Sequence, residues 1–167
     1  MLSKKFLLPA ALAALGCVPL SSMADTATAT FDVLLTITAT CDISAGAGSN
    51  INFGNHIRSE TDLAADNNIY VTCSNNTPYN IGLLPTNTGA TANGTGNLIS
   101  PVSSDQIPYA LWQDSAHSVP WGDTVGTNTE AGTGTGDQQT VPVYATVASA
   151  DYTPGDYSDT VTVTVTY

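Results

Sequence analysis

The residues of this 167-residue chain that could do chemistry are two histidines, three cysteines and fourteen carboxylates. His56 and His117 stand in neither a His-Glu-x-x-His nor a clustered metal-ligand spacing. No Gly-x-Ser-x-Gly elbow offers an acyl-transfer nucleophile. The twelve aspartates could pair for glycoside hydrolysis, which needs two carboxyls held about 5–10 Å apart in a cleft. Most lie instead in contexts such as "PGDYSD" (154–159) and "WGDT" (121–124), where Asp routinely closes turns. "GTGTGD" (132–137) has the glycines of a calcium-binding repeat, but as a single copy without its apolar position it reads as a loop. Trp112, Trp121 and Tyr109 could stack on sugars if exposed together. The run "IPYALW" (107–112) favours an interior position for them. The expectation is a protein that is not an enzyme and holds no metal or cofactor.

The cysteines point to export. Residues 1–24 have the layout of a secretory signal: Lys4 and Lys5, an apolar run from Phe6 to Leu15, and a small-x-small site at Ser22-Met23-Ala24. Lipoprotein processing at Cys17 is a rival, although Ala14 stands where leucine is usual. Taking those 24 residues from 167 leaves 143, one domain's worth, with Cys41 and Cys73 as an even pair in an oxidising compartment. A bridge between them would stabilise by roughly 3–4 kcal/mol on the chain-entropy model. Two free buried thiols are the alternative. All fourteen acids follow the signal against Arg58 alone, a formal charge of −13. Such a chain is repelled by phosphate backbones and anionic lipid surfaces, so nucleic acid is not an expected partner.

The elements that must position these groups are strands. No helical period survives after residue 24. Short alternating or apolar runs recur between Gly, Asn, Pro and Asp clusters: 51–54, 68–74, 79–84, 97–100, 107–114, 141–148 and 157–167, with a further short one at 119–122. The low-complexity stretches 86–96 and 126–137 read as flexible loop or hairpin material. Seven or eight strands of this kind imply an all-β sandwich.

Both ends of this pattern are unusual. In "TATATFDVLLTITATC" (26–41), Ala27, Ala29, Phe31, Val33, Leu35, Ile37, Ala39 and Cys41 alternate with mostly polar residues. At ~3.3 Å per residue the run would span roughly 50 Å, whereas a domain of this size is roughly 37 Å across. A strand bent between two sheets would solve this, but neither Gly nor Pro is present to make the bend. At the other end Val161, Val163, Val165 and Tyr167 alternate with threonines. Edge strands are usually protected by lysine, proline or a bulge; no lysine follows residue 24 and no proline follows Pro154, which suggests pairing with another chain.

With these features in view, the sequence resembles the spore coat protein U domain pilins of archaic chaperone–usher fimbriae (Csu-type pili). The resemblance rests on the alternating leader into Cys41, "INFG" (51–54), "IYVTC" (69–73), "VPVYATV" (141–147) and the closing "GDYSDTVTVTVTY" (155–167). It implies an incomplete immunoglobulin-like sandwich completed by a donor strand from a neighbouring subunit. The implied organisation is a signal over 1–24, a donor segment over 25–34 and a pilin domain over 35–167. Ala27, Ala29, Phe31 and Val33 would enter a neighbour's groove. Val161, Val163, Val165 and Tyr167 would line one groove edge and be captured by a periplasmic chaperone, with the terminal carboxylate held by basic chaperone residues. Implied partners are copies of the chain or related pilins, that chaperone and an outer-membrane usher. The implied role is a structural subunit of a secreted, cell-surface fimbria that supports adhesion and biofilm formation.

Two other readings compete. An outer-membrane β-barrel also has a signal, alternating strands and a final aromatic residue, but only 27–41 and 157–167 reach spanning length. A single-domain secreted adhesin or lectin of similar fold would bind its target as a monomer.

Overall fold

The computed structural model describes residues 25–167; the secretory signal read over 1–24, with Cys17, lies outside the described residues. By compactness they divide into two units, 25–36 and Ile37–Tyr167. The first unit contains no strand or helix, and Phe31, Val33, Leu34 and Leu35 are all more than four-fifths exposed (86%, 87%, 88% and 84%).

The second unit is all β apart from one 3-10 turn at Ala47–Ser49. Its strands are β1 (Cys41–Ser44), β2 (Thr61–Cys73), β3 (Pro78–Pro85), β4 (Thr95–Ile99), β5 (Gln106–Trp112), β6 (Glu130–Thr133), β7 (Gln138–Ser149) and β8 (Val161–Thr166). They form a five-stranded sheet, β1-β2-β7-β5-β4, and a three-stranded sheet, β6-β3-β8, with every pairing antiparallel. Period-two alternation decides which face is buried. Along β7, Val143, Ala145 and Val147 are buried while Tyr144, Thr146 and Ala148 stand on the opposite face. Ile69 and Val71 of β2, Ile107, Tyr109 and Leu111 of β5, and Tyr79, Ile81 and Leu83 of β3 complete the core.

Several sequence expectations need correction. The alternating run 27–41 is a strand only from Cys41 onward. The segment 51–54 is not a strand, although Ile51 and Phe53 pack against the core. Residues 119–122 contribute only an isolated bridge, Trp112 with Pro120. The two low-complexity stretches are not simple loops. β6 lies inside one and β4 begins inside the other, and Asn128 ties them together. Its amide donates to the carbonyl of Ala92 and to Oδ1 of Asn93, while its own Oδ1 accepts from the N–H of Thr124. The glycines permit this approach: a Cβ at Gly122 would stand 1.8 Å from the Ala92 carbonyl oxygen.

Cys41 and Cys73 are register partners on β1 and β2 and form a disulfide, which closes the free-thiol alternative. The barrel alternative also fails. A transmembrane barrel is a closed sheet with an apolar exterior; here two open sheets pack apolar faces on each other.

Candidate functional site

The aromatic side chains divide as their burial dictates. Trp121 is fully buried and its indole N–H donates to the Ile81 carbonyl at 2.8 Å. Tyr109 is buried with its hydroxyl on Asp159 Oδ2 at 2.8 Å; burial, and then that hydrogen bond, push its phenol well above its usual pKa. Trp112 is half-buried on the outer face of β5, its N–H donating to Thr146 Oγ1 at 2.9 Å. These rings do not form one exposed platform. Among the described residues no group of three or more His, Cys, Asp and Glu side chains is placed to hold a metal ion.

A large concavity lies within the second unit, a groove of about 1120 Å³. One wall is the inner face of the five-stranded sheet, through Leu63 and Ile69 of β2, Ile107 and Leu111 of β5, and Val143 and Val147 of β7. The other wall comes from Leu83 of β3 and from Val161 and Val163 of β8. β8 ends the three-stranded sheet and pairs only with β3, in the register Ile81↔Val165, Leu83↔Val163 and Pro85↔Val161. Backbone N–H and C=O groups on its far edge therefore have no strand partner. Of the four residues expected on this edge, Val161 and Val163 line the groove. Val165 packs half-buried against the core opposite Ile81, and Tyr167 lies beyond the strand, 59% exposed.

Two loops form the rim. Residues 51–58 bring Ile51, Phe53 and Ile57 to it, and residues 150–160 bring Tyr152 and Tyr157. Polar contacts fix both loops. His56 Nδ1 lies 2.5 Å from Glu60 Oε2 and Nε2 lies 2.6 Å from the Phe53 carbonyl. The Glu60 hydrogen bond, then the Phe53 carbonyl, raise the His56 pKa by favouring imidazolium. Arg58 grips Asp151 through Nε at 2.9 Å and Nη2 at 2.7 Å, joining one loop to the other. Hydrogen bonds from Thr153, and more weakly from Tyr157, hold the Asp105 carboxyl below its usual range. Sequence reasoning did not single out His56, Glu60 or Arg58 as rim residues. Their only sequence signal was that Arg58 is the sole Lys or Arg in residues 25–167.

The walls of this groove are apolar, and its charge pairs, His56–Glu60 and Arg58–Asp151, lie on the rim. An extended segment with apolar side chains on one face would fill it and satisfy the β8 edge.

Comparison with known proteins identifies the family and the fold. A family model of the Spore Coat Protein U domain matches residues 27–164. Protein U of Myxococcus xanthus is 31% identical over 156 residues, covering 86% of this chain and 87% of that protein. One chain of the CsuC–CsuE chaperone–tip adhesion subunit pre-assembly complex from the archaic chaperone–usher Csu pili of Acinetobacter baumannii superposes with a TM-score of 0.52 at 20% identity. The match covers 79% of this chain but only 40% of that one. The P pilus rod subunit PapA gives a TM-score of 0.53 at 15% identity, over 76% of this chain and 98% of its own. At such identities the structural likeness is one of fold: an immunoglobulin-like sandwich lacking a strand. The match over 27–164 and the similarity to Protein U together show that this chain belongs to the Spore Coat Protein U domain family.

Proposed function

We propose that this chain is a structural subunit of a chaperone–usher surface fimbria, in which residues 25–34 of one copy fill the groove of the next. The observation that carries this reading is the open apolar groove beside the unpaired edge of β8, in a chain that also has an exposed alternating segment. The dimensions agree. β8 from Val161 to Thr166 is roughly 20 Å long, and seven residues from Ala27 to Val33 extended as a strand span about the same. Ala27, Ala29, Phe31 and Val33 would face the groove, with Phe31 and Val33 stabilising by ~1.5–3 kcal/mol each on full burial. Main-chain hydrogen bonds to β8 would add to this in a site shielded from water.

A groove empty of its strand exposes apolar surface and an unpaired edge, both routes to aggregation. A periplasmic chaperone that covers β8, including Val161, Val163, Val165 and Tyr167, and an outer-membrane usher that exchanges it for the incoming segment are the partners this reading requires. The finished fibre would stand on the cell surface and support adhesion and biofilm formation. Deleting residues 25–33, or changing Phe31→Asp, should leave a folded subunit that no longer polymerises, since an unpaired carboxylate cannot enter the groove without a large desolvation cost. Fibres of normal length from either variant, seen by electron microscopy, would refute the donor role.

A further inference from the structure

The face of the five-stranded sheet opposite the groove carries a second, smaller depression of about 280 Å³, lined by Asp62, Ala64, His117, Thr146, Val147 and Ala148. Its floor is small because the strands place small residues side by side: Ala64 on β2 pairs with Thr146 on β7, and Thr146 with Ala110 on β5. In the next outward row Asp66, Tyr144 and Trp112 lie across the same three strands. The imidazole of His117 packs against both rings of that row, 6.2 Å from Trp112 and 6.4 Å from Tyr144 between centroids. The result is a shallow floor with the His117 ring on one side, backed by Trp112 and Tyr144, and the Asp62 carboxylate on the other.

Backbone conformation also marks this place. Among the described residues only three other than glycine have positive φ, and two of them, Asp62 (56°) and His117 (54°), line this depression. Residues held in the left-handed region cost energy and persist where their surroundings over-determine them, often at binding sites. At His117 the surroundings do so. Asp114 accepts hydrogen bonds from the N–H groups of Ser118 and Val119 and from the Ser118 hydroxyl, and its own carbonyl accepts from the His117 N–H. That loop is clamped so that the imidazole is presented to the sheet face. Thr146 accepts the Trp112 N–H on its oxygen, which leaves its hydroxyl proton free to donate.

We propose that this depression is a binding site for a neutral pyranose residue. The ring's apolar face would rest on His117, supported by Trp112 and Tyr144, with its hydroxyls donating to Asp62 and accepting from Thr146. The charge of the chain selects against acidic sugars: with fourteen carboxylates and Arg58 as the only Lys or Arg in residues 25–167, an anionic ring would be repelled. The depression is open, so a single site is weak, with a dissociation constant on the order of 1–10 mM. On the fimbrial reading proposed above, repetition along a fibre would convert weak sites into avidity, and the depression, on the face opposite the groove, does not overlap the surface that the donor segment would fill.

The test uses the full chain and nuclear magnetic resonance titration with the methyl glycosides of glucose, galactose, mannose and N-acetylglucosamine, and glucuronic acid as the anionic control. At least one neutral glycoside should shift the amides of Ala64, Ala110, Thr146 and Ala148 and the Trp112 indole N–H, while Leu83 and Val163 in the groove stay unmoved. Asp62→Asn and His117→Asn should each weaken binding about three- to tenfold. Asparagine tolerates the left-handed backbone, so both variants should keep the wild-type unfolding midpoint. Failure of all four neutral glycosides to bind at 50 mM (about five times the weakest constant expected) would overturn the proposal. So would shifts confined to the groove, tighter binding of glucuronic acid, or binding that both variants retain unchanged. The titration reads the single subunit, so its outcome is independent of whether residues 25–34 act as a donor.

Discussion

Residues 27–33 and 161–165 are written in nearly the same pattern, apolar side chains on every second position with threonines, and Asp32 in the first, between them, yet they end differently. Val161–Thr166 is a strand, paired to β3, with Val161, Val163 and Val165 packed half-buried against the core. Residues 25–36 have no strand, and Phe31 and Val33 are 86% and 87% exposed. Alternation specifies which face a strand would bury; it supplies neither the hydrogen-bonding partner nor the surface to bury it on. β8 has both on one side, from β3 and the opposing sheet. The leader has neither within its own unit.

The boundary between those outcomes is Cys41, where the chain enters β1 bonded to Cys73. Replacing both cysteines with serine should cost about 3–4 kcal/mol by releasing the closed loop in the unfolded chain, the largest effect expected here. Urea unfolding under non-reducing conditions would measure it, and an unchanged midpoint would mean that β1 is held by pairing alone.

The comparison itself is sharpened by placing the same charge in each region. Val163→Asp puts a carboxylate into the apolar groove wall and should destabilise the isolated chain by about 2–3 kcal/mol. Phe31→Asp, on an exposed side chain, should leave monomer stability within about 0.5 kcal/mol while abolishing polymerisation. If the two variants unfolded at the same urea concentration, the distinction between a packed and an unpartnered alternating run would be lost.

The smallest effect expected is at the groove rim. The folded-state pKa of His56 is raised above 6.5 by Glu60 and the Phe53 carbonyl. Its contribution is therefore complete below pH 6.5 and is lost as pH rises through the raised value. Hydrogen-exchange protection of the Ile57 and Glu60 amides, which bond to Glu60 Oε2 and the Ile57 carbonyl, should fall as pH rises above 6.5 and through the raised pKa. His56→Gln should remove that pH dependence, and protection that is flat in the wild type would show that the imidazole does not hold the loop.

Much of this molecule was legible in the amino-acid order because strand formation leaves a local mark. The runs that became β3, β5, β7 and β8 were visible to within a few residues, since alternation and flanking turn residues are properties of neighbours in sequence. The bridge between Cys41 and Cys73 was readable from number and compartment alone. Other features depend on distance in space. β6 is invisible in "EAGT" because its strand character comes from pairing with Pro78–Ile81 rather than from its own side chains. The apolar residues of 51–54 pack on the core without a ladder, because a hydrophobic contact needs only proximity whereas a strand needs a partner in register. Trp112 and Trp121 look alike in sequence and differ entirely in burial, since one follows an outward position on β5 and the other plugs the core beneath Ile81. The order of residues thus determined the alternation, the crosslink and the surplus leader. Only the tertiary structure decided which edge stayed open, because an unpaired edge is a property of how the sheets are assembled and no single segment encodes it.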